Sequence, residues 1–102
     1  MVLFQKRLDK KLVTASREGH PESVKALLDA GANVHSVNDL ALRYASMNGH
    51  TEVVKLLLDK GADVHAENNY ALIWARAYGH TETVKVLEAA VAAAVKPQVP
   101  AP

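Results

Sequence analysis

Histidines stand at positions 20, 35, 50, 65 and 80, fifteen residues apart throughout. Such a regular series of imidazoles invites a metal hypothesis, because imidazole is a common zinc ligand at a bond length of about 2 Å. Three glutamates, Glu22, Glu52 and Glu82, recur every 30 residues and could be read as carboxylates for acid–base work. Whether any of these side chains meet depends on the elements that carry them.

Those elements repeat. Gly19-His20, Gly49-His50 and Gly79-His80 share one spacing of 30 residues, and "PESVKALLDAGANVH", "TEVVKLLLDKGADVH" and "TETVKVLEAAVAAAV" follow them. With the copies aligned on Gly-His, Leu12/Leu42/Leu72, Ala15/Ala45/Ala75, Val24/Val54/Val84, Lys25/Lys55/Lys85 and Leu27/Leu57/Leu87 coincide. A period of this length marks an array of stacked supersecondary units.

Each unit reads as two short helices. The first runs from about Leu40 to Asn48, with Leu42 and Ala45 on one side, and Gly49 ends it. The second starts after His50, and Pro21 at the matching place in the first copy suits a first helical position. Val53, Val54, Leu57 and Leu58 form its apolar stripe, Glu52, Lys55 and Lys60 face water, and Gly61 closes it in a left-handed conformation. "ADVHAEN" reads as an extended connection, with Asp39 or Asn69 as N-cap of the next helix. Residues 1–18 supply the first helix of the array, with Phe4, Leu8 and Leu12 one turn apart. The last helix is expected to run on through its alanines, because Val91 stands where Gly31 and Gly61 stand in the earlier copies.

Polar residues mark the ends of the array. Ser23 and Thr83 occupy the position of Val53, and Glu88 that of Leu28 and Leu58. A polar outer face on terminal repeats keeps a solenoid soluble.

This architecture disposes of the candidate chemistry. Neighbouring repeats lie about 10 Å apart, the separation of packed helices, which is too far for histidines of successive copies to share one ion. His20, His50 and His80 are expected to brace the turn between helices by hydrogen bonds, and His35 and His65 to sit in the connecting loop. The glutamates fall in first turns, where a carboxylate complements the helix dipole. There is no cysteine, no Gly-x-Ser-x-Gly context and no glycine-rich phosphate loop. The expectation is a protein that is not an enzyme and takes no metal or cofactor.

"GHTEVVKLLLDKGADVHA", Gly49 to Ala66, strongly resembles the second helix and following turn of the ankyrin repeat, and the resemblance extends over roughly Lys11 to Val95. It implies an all-α ankyrin-repeat solenoid with repeats at about 1–35, 36–65 and 66–96. It also implies a protein-binding module working through a concave face. The usual period is longer than 30, and "HAENNYALIWA" keeps only the Leu of the family's Asp-x-x-Gly-x-Thr-Pro-Leu-His passage, so the hairpin fingers are expected to shrink to tight turns. Thirty-residue repeats of this kind are similar to those in proteins of large DNA viruses.

Stacking fixes the scaffold positions, so positions where the copies differ are the candidates for contact. Seven before the histidine the series is Val13, Arg43, Ile73; six before, Thr14, Tyr44, Trp74; three and two before, Arg17-Glu18, Met47-Asn48 and Ala77-Tyr78. With the turn residues Leu40 and Tyr70 added, the candidate partner-binding patch is Leu40, Arg43, Tyr44, Met47, Tyr70, Trp74 and Tyr78. Tyr, Trp and Arg are the types enriched at interface hot spots. Tyr44 and Trp74 fit a second role equally well, filling space between neighbouring first helices.

Composition bounds the rest. The chain has 102 residues, 49% of them hydrophobic and 23% charged, with a formal net charge of +1, which suits one globular domain and gives no long-range field toward nucleic acid. Lys6, Arg7, Lys10, Lys11 and Arg17 form a local basic cluster, read as the solvated face of a helix, with nucleic-acid contact through that helix as a lesser rival. The apolar runs are too short for a signal-peptide core or a membrane span. The cysteine-free sequence suits a reducing cytoplasm, or a nucleus. "KPQVPAP" reads as a disordered Pro-rich tail over 97–102 containing one Pro-x-x-Pro. A second reading of function is a self-associating scaffold, a weak homodimer formed through an exposed "VLEAAVAAAV" edge and sensitive to Leu87→Asp.

Overall fold

The computed structural model describes residues 2–94; the Pro-rich tail read at 97–102 lies outside the described residues. Six helices follow one another: α1 (Val2–Glu18), α2 (Pro21–Asp29), α3 (Ser36–Met47), α4 (Thr51–Asp59), α5 (Ala66–Ala77) and α6 (Thr81–Ala94). Among the described residues there are no strands. α1, α3 and α5 pack in sequence as one layer, α2, α4 and α6 as a second, and each odd-numbered helix rests on the helix that follows it. The architecture is the all-α repeat solenoid that the periodicity predicts.

Isolated nine-residue helices such as α2 and α4 are marginal in water, so their stability comes from the stripe each one buries. Leu12, Leu42, Val24, Val54, Leu57 and Leu87 are fully enclosed, each worth about 1.5–3 kcal/mol relative to exposure. Ala41, Ala45, Ala71 and Ala75 are also enclosed, and small residues there let the first helices approach closely. Of the α1 stripe, Leu12 is buried and Leu8 half-buried, but Phe4 is exposed, because α2 and α3 do not reach the start of the longer α1.

Every glycine of the repeat ends a helix in the same way. The Gly49 N–H reaches the Ser46 carbonyl oxygen at 3.2 Å and the His50 N–H that of Ala45 at 2.9 Å; Gly61 and Ala62 do the same to Leu58 and Leu57, both at 3.0 Å. Paired bonds of this kind need a left-handed residue, and glycine takes that conformation without a steric penalty. Val91 breaks the pattern, and α6 continues to Ala94 as expected.

The connection between repeats is not extended. Val37, Asn38 and Asp39 have φ of 53°, 54° and 58°, and Glu67, Asn68 and Asn69 have 53°, 57° and 64°. Three successive left-handed residues reverse the chain in the space of one turn, and right-handed helix resumes at Leu40 and Tyr70. Asn and Asp visit this region at little cost; Val and Glu do so rarely.

Two further expectations need correction. Asp39 and Asn69 do not cap the following helices: their side chains turn back to His35 and His65. Thr83 is not part of a polar outer face. It is buried between α4 and α6, where its hydroxyl meets the Thr51 hydroxyl at 2.8 Å, and that hydrogen bond is what makes a buried threonine tolerable. Ser23 and Glu88 are exposed as expected.

Candidate functional site

Two sets of polar side chains hold successive repeats in register. His50 Nε2 donates to the Arg17 carbonyl oxygen at 2.9 Å, and His80 Nε2 to that of Met47 at 2.8 Å. Each histidine therefore saturates a free carbonyl at the end of the preceding first helix, a group that helix cannot satisfy itself. Both rings carry the proton on Nε2, since a carbonyl only accepts. Bracing is thus provided by the turn histidines as expected, but across repeats rather than within one turn. Among the described residues no first helix of an earlier repeat lies before α1, and His20 is exposed, 3.5 Å from Glu18.

The second set escaped the sequence reading. Asp9, Asp39 and Asn69 share the 30-residue period. Asp9 Oδ1 accepts from the Asn33 N–H at 2.7 Å, and Asp39 Oδ2 from the Asp63 N–H at 2.6 Å. These carboxylates tie one first helix to the turn that leads into the next. Gln5, His35 and His65 reach them from four residues upstream, at 2.8, 3.0 and 2.6 Å. Asp39 is buried, and its two oxygens are satisfied by this pair of donors. His35 and His65 therefore serve as loop braces. Among the described residues no three His, Asp or Glu side chains gather closely enough to hold a metal ion, and no helix is long and apolar enough to cross a membrane.

The candidate contact residues fall on the α1–α3–α5 layer, on the side away from the enclosed Leu42, Ala45 and Ala75. On α5, Tyr70, Trp74 and Tyr78 stand one turn apart and form a ladder with ring centroids 5.6 Å apart at both steps. The ladder continues to His80 at 6.3 Å. From α3, the Arg43 guanidinium carbon lies 5.1 Å from the Tyr70 ring centroid, and the Tyr70 hydroxyl donates to Met47 Sδ at 3.7 Å. Arg43 is anchored as well, donating to the carbonyl oxygens of Asn38 at 3.0 Å and Val37 at 2.9 Å. It locks the left-handed turn and leaves a fixed cation against an aromatic face.

Five of the seven, Arg43, Met47, Tyr70, Trp74 and Tyr78, thus form one cluster. Leu40 and Tyr44 are half-buried and line a separate groove between α1 and α3. The two roles open to Tyr44 and Trp74 divide between them. Tyr44 is flanked by α1 and packs; Trp74 is 37% and Tyr78 57% exposed, and among the described residues no further first helix packs against α5. Ile73, 54% exposed, extends this surface, and Val37, 64% exposed, lines the groove; neither is in the sequence-based patch. The signal for Ile73 was present, since it replaces Val13 and Arg43 in a variable series.

The last of the described repeats carries an exposed ion pair on its outer side. Arg76 occupies the place of the buried Ser16 and Ser46, and its guanidinium meets Glu88 at 2.6 Å, both groups about half exposed. A charged pair thus lies where another repeat would stack. Leu87 is fully buried, so the edge suspected of self-association does not present it.

In comparison with known families, the model described as "Ankyrin repeats (3 copies)" matches residues 12–96. No curated protein matches the chain.

Proposed function

The chain belongs to the ankyrin repeat family, and on that footing we propose that it binds a protein partner through the concave, outward side of the α1–α3–α5 layer, without catalysis. Ankyrin repeats are in general protein–protein interaction modules. The observation that carries the finer reading is the ladder of Tyr70, Trp74 and Tyr78, its last two rings exposed, beside a pinned Arg43. Nothing in the stacking of the repeats requires Trp74 and Tyr78 to be aromatic, and exposed aromatic area at this density is what interfaces use. The left-handed turns stand where longer repeats carry fingers, which shifts contact onto the helices themselves.

The decisive experiment is affinity capture with quantitative mass spectrometry, using wild type, Trp74→Ala/Tyr78→Ala, and Lys25→Ala/Lys55→Ala on the other layer. Partners retained by wild type and by the lysine variant but lost from the aromatic variant support the reading. Partners lost only from the lysine variant refute it.

A further inference from the structure

We propose that the groove between α1 and α3 receives an acidic segment of a protein partner bearing an aliphatic anchor; this rests on the protein-binding reading and names the partner's chemistry. The groove encloses about 620 Å³. Val13, Leu40 and Tyr44 form its half-buried apolar floor, and Lys6, Lys10 and Arg17 stand exposed along its rim. Positions 6, 10, 13 and 17 share one face of a helix, so the cations and Val13 make a single stripe. At 1.5 Å per residue it is about 16 Å long, room for about five extended residues.

None of the three cations forms an ion pair among the described residues. The groove's carboxylate, Asp9, already accepts from Gln5 and Asn33. A second observation lies at the lip of the same groove. Val37 is a β-branched residue held at φ 53° and 64% exposed. Its counterpart in the next copy, Glu67, earns its place by accepting a bond from Asn38 Nδ2 at 2.8 Å, whereas Val37 has no role in the stacking. The turn needs the left-handed backbone in both copies, but nothing in the stacking needs an exposed apolar side chain there, and such a residue marks a contact surface.

A peptide fits this groove better than a nucleic acid does. The floor is aliphatic, with one half-buried ring in place of a stacking platform, and the chain as a whole carries a net charge of only +1.

The test is selection of a displayed library of random 12-residue peptides on the full chain. Enriched peptides are then titrated by fluorescence anisotropy against wild type, Lys6→Glu/Lys10→Glu and Trp74→Ala, beside a 12-mer of oligothymidylate. The lysines are exposed, so the charge-reversed protein should melt like wild type. Enriched peptides should carry carboxylates around an aliphatic residue. Their affinity should fall about tenfold or more on charge reversal, and fall again as salt is raised. Enrichment of peptides without acidic residues, or indifference to charge reversal, overturns the proposal. If binding is instead lost on Trp74→Ala, the groove is wrong and the broader reading stands. If no peptide is enriched, or neither variant matters, both fail. Tighter binding of the oligothymidylate overturns the proposal in favour of nucleic acid.

Discussion

The imidazole of His80 lies over Gly49: a Cβ added to Gly49 would sit 2.5 Å from His80 Nδ1, while His80 Nε2 donates to the Met47 carbonyl oxygen at 2.8 Å. His50 stands in the same relation to Gly19, and nothing lies within 4 Å of a Cβ on Gly79. Glycine is thus required twice over at 19 and 49, by its positive φ and by the ring above it, but only once at 79.

Gly79→Ala should cost about 1–2 kcal/mol, the penalty of a left-handed alanine. Gly49→Ala should exceed it by roughly 1–3 kcal/mol, the range for overpacking. Urea denaturation of both, with His80→Ala as third member of a cycle, checks the argument. In the His80→Ala background the excess at Gly49 should vanish, and equal costs for the two glycines in the wild-type background would contradict it.

Asp39→Ala removes the acceptor of the Asp63 N–H and the partner of His35 in a buried setting. The loss should be about 1.5–3 kcal/mol, the net worth of hydrogen bonds to a charged group. Asp39→Asn keeps an acceptor oxygen, as Asn69 does one repeat later, and should cost less by thermal or chemical melting.

Ser46 is fully buried and its hydroxyl has no hydrogen-bond partner. Ser46→Ala should therefore raise stability, by about 1 kcal/mol, since a hydroxyl buried without a partner is a penalty the alanine does not carry. A drop in melting temperature would show that the hydroxyl is satisfied in solution.

Leu57→Ala and Tyr78→Ala should separate stability from binding. Leu57 is fully enclosed and Tyr78 57% exposed, so the first should lose about 2–5 kcal/mol and the second about 0.5 kcal/mol or less. On the proposed reading only the second impairs partner capture by a folded protein. Tyr70→Ala should fall between, because its hydroxyl and ring are held by Met47 and Arg43.

The solenoid was legible in the sequence because its stabilising contacts repeat with its letters. Gly-His marks each helix end, and Val54 and Leu57 lie on a stripe that only a neighbour can cover. What could not be read depends on distance across repeats. His50 finds its acceptor 33 residues upstream, and Asp39 meets a backbone N–H 24 residues downstream, so neither residue type nor local spacing reveals the partner. Thr83 misleads because its polarity suggests an edge while the Thr51 hydroxyl makes a buried site possible. Tyr44 and Trp74 share a repeat position, and what separates them is whether another first helix packs beside the one that carries them.

The middle copy alone has both halves of the histidine–glycine lock engaged, His50 toward one neighbour and Gly49 toward the other, whereas the Arg76–Glu88 pair belongs only to the last. Residues 36–65 are therefore a transplantable cassette: a duplicate spliced in beside the original would meet the surfaces it already fits. The molecule could grow in increments of about 10 Å, the spacing of packed helices, from the inside while both of its ends stay as they are.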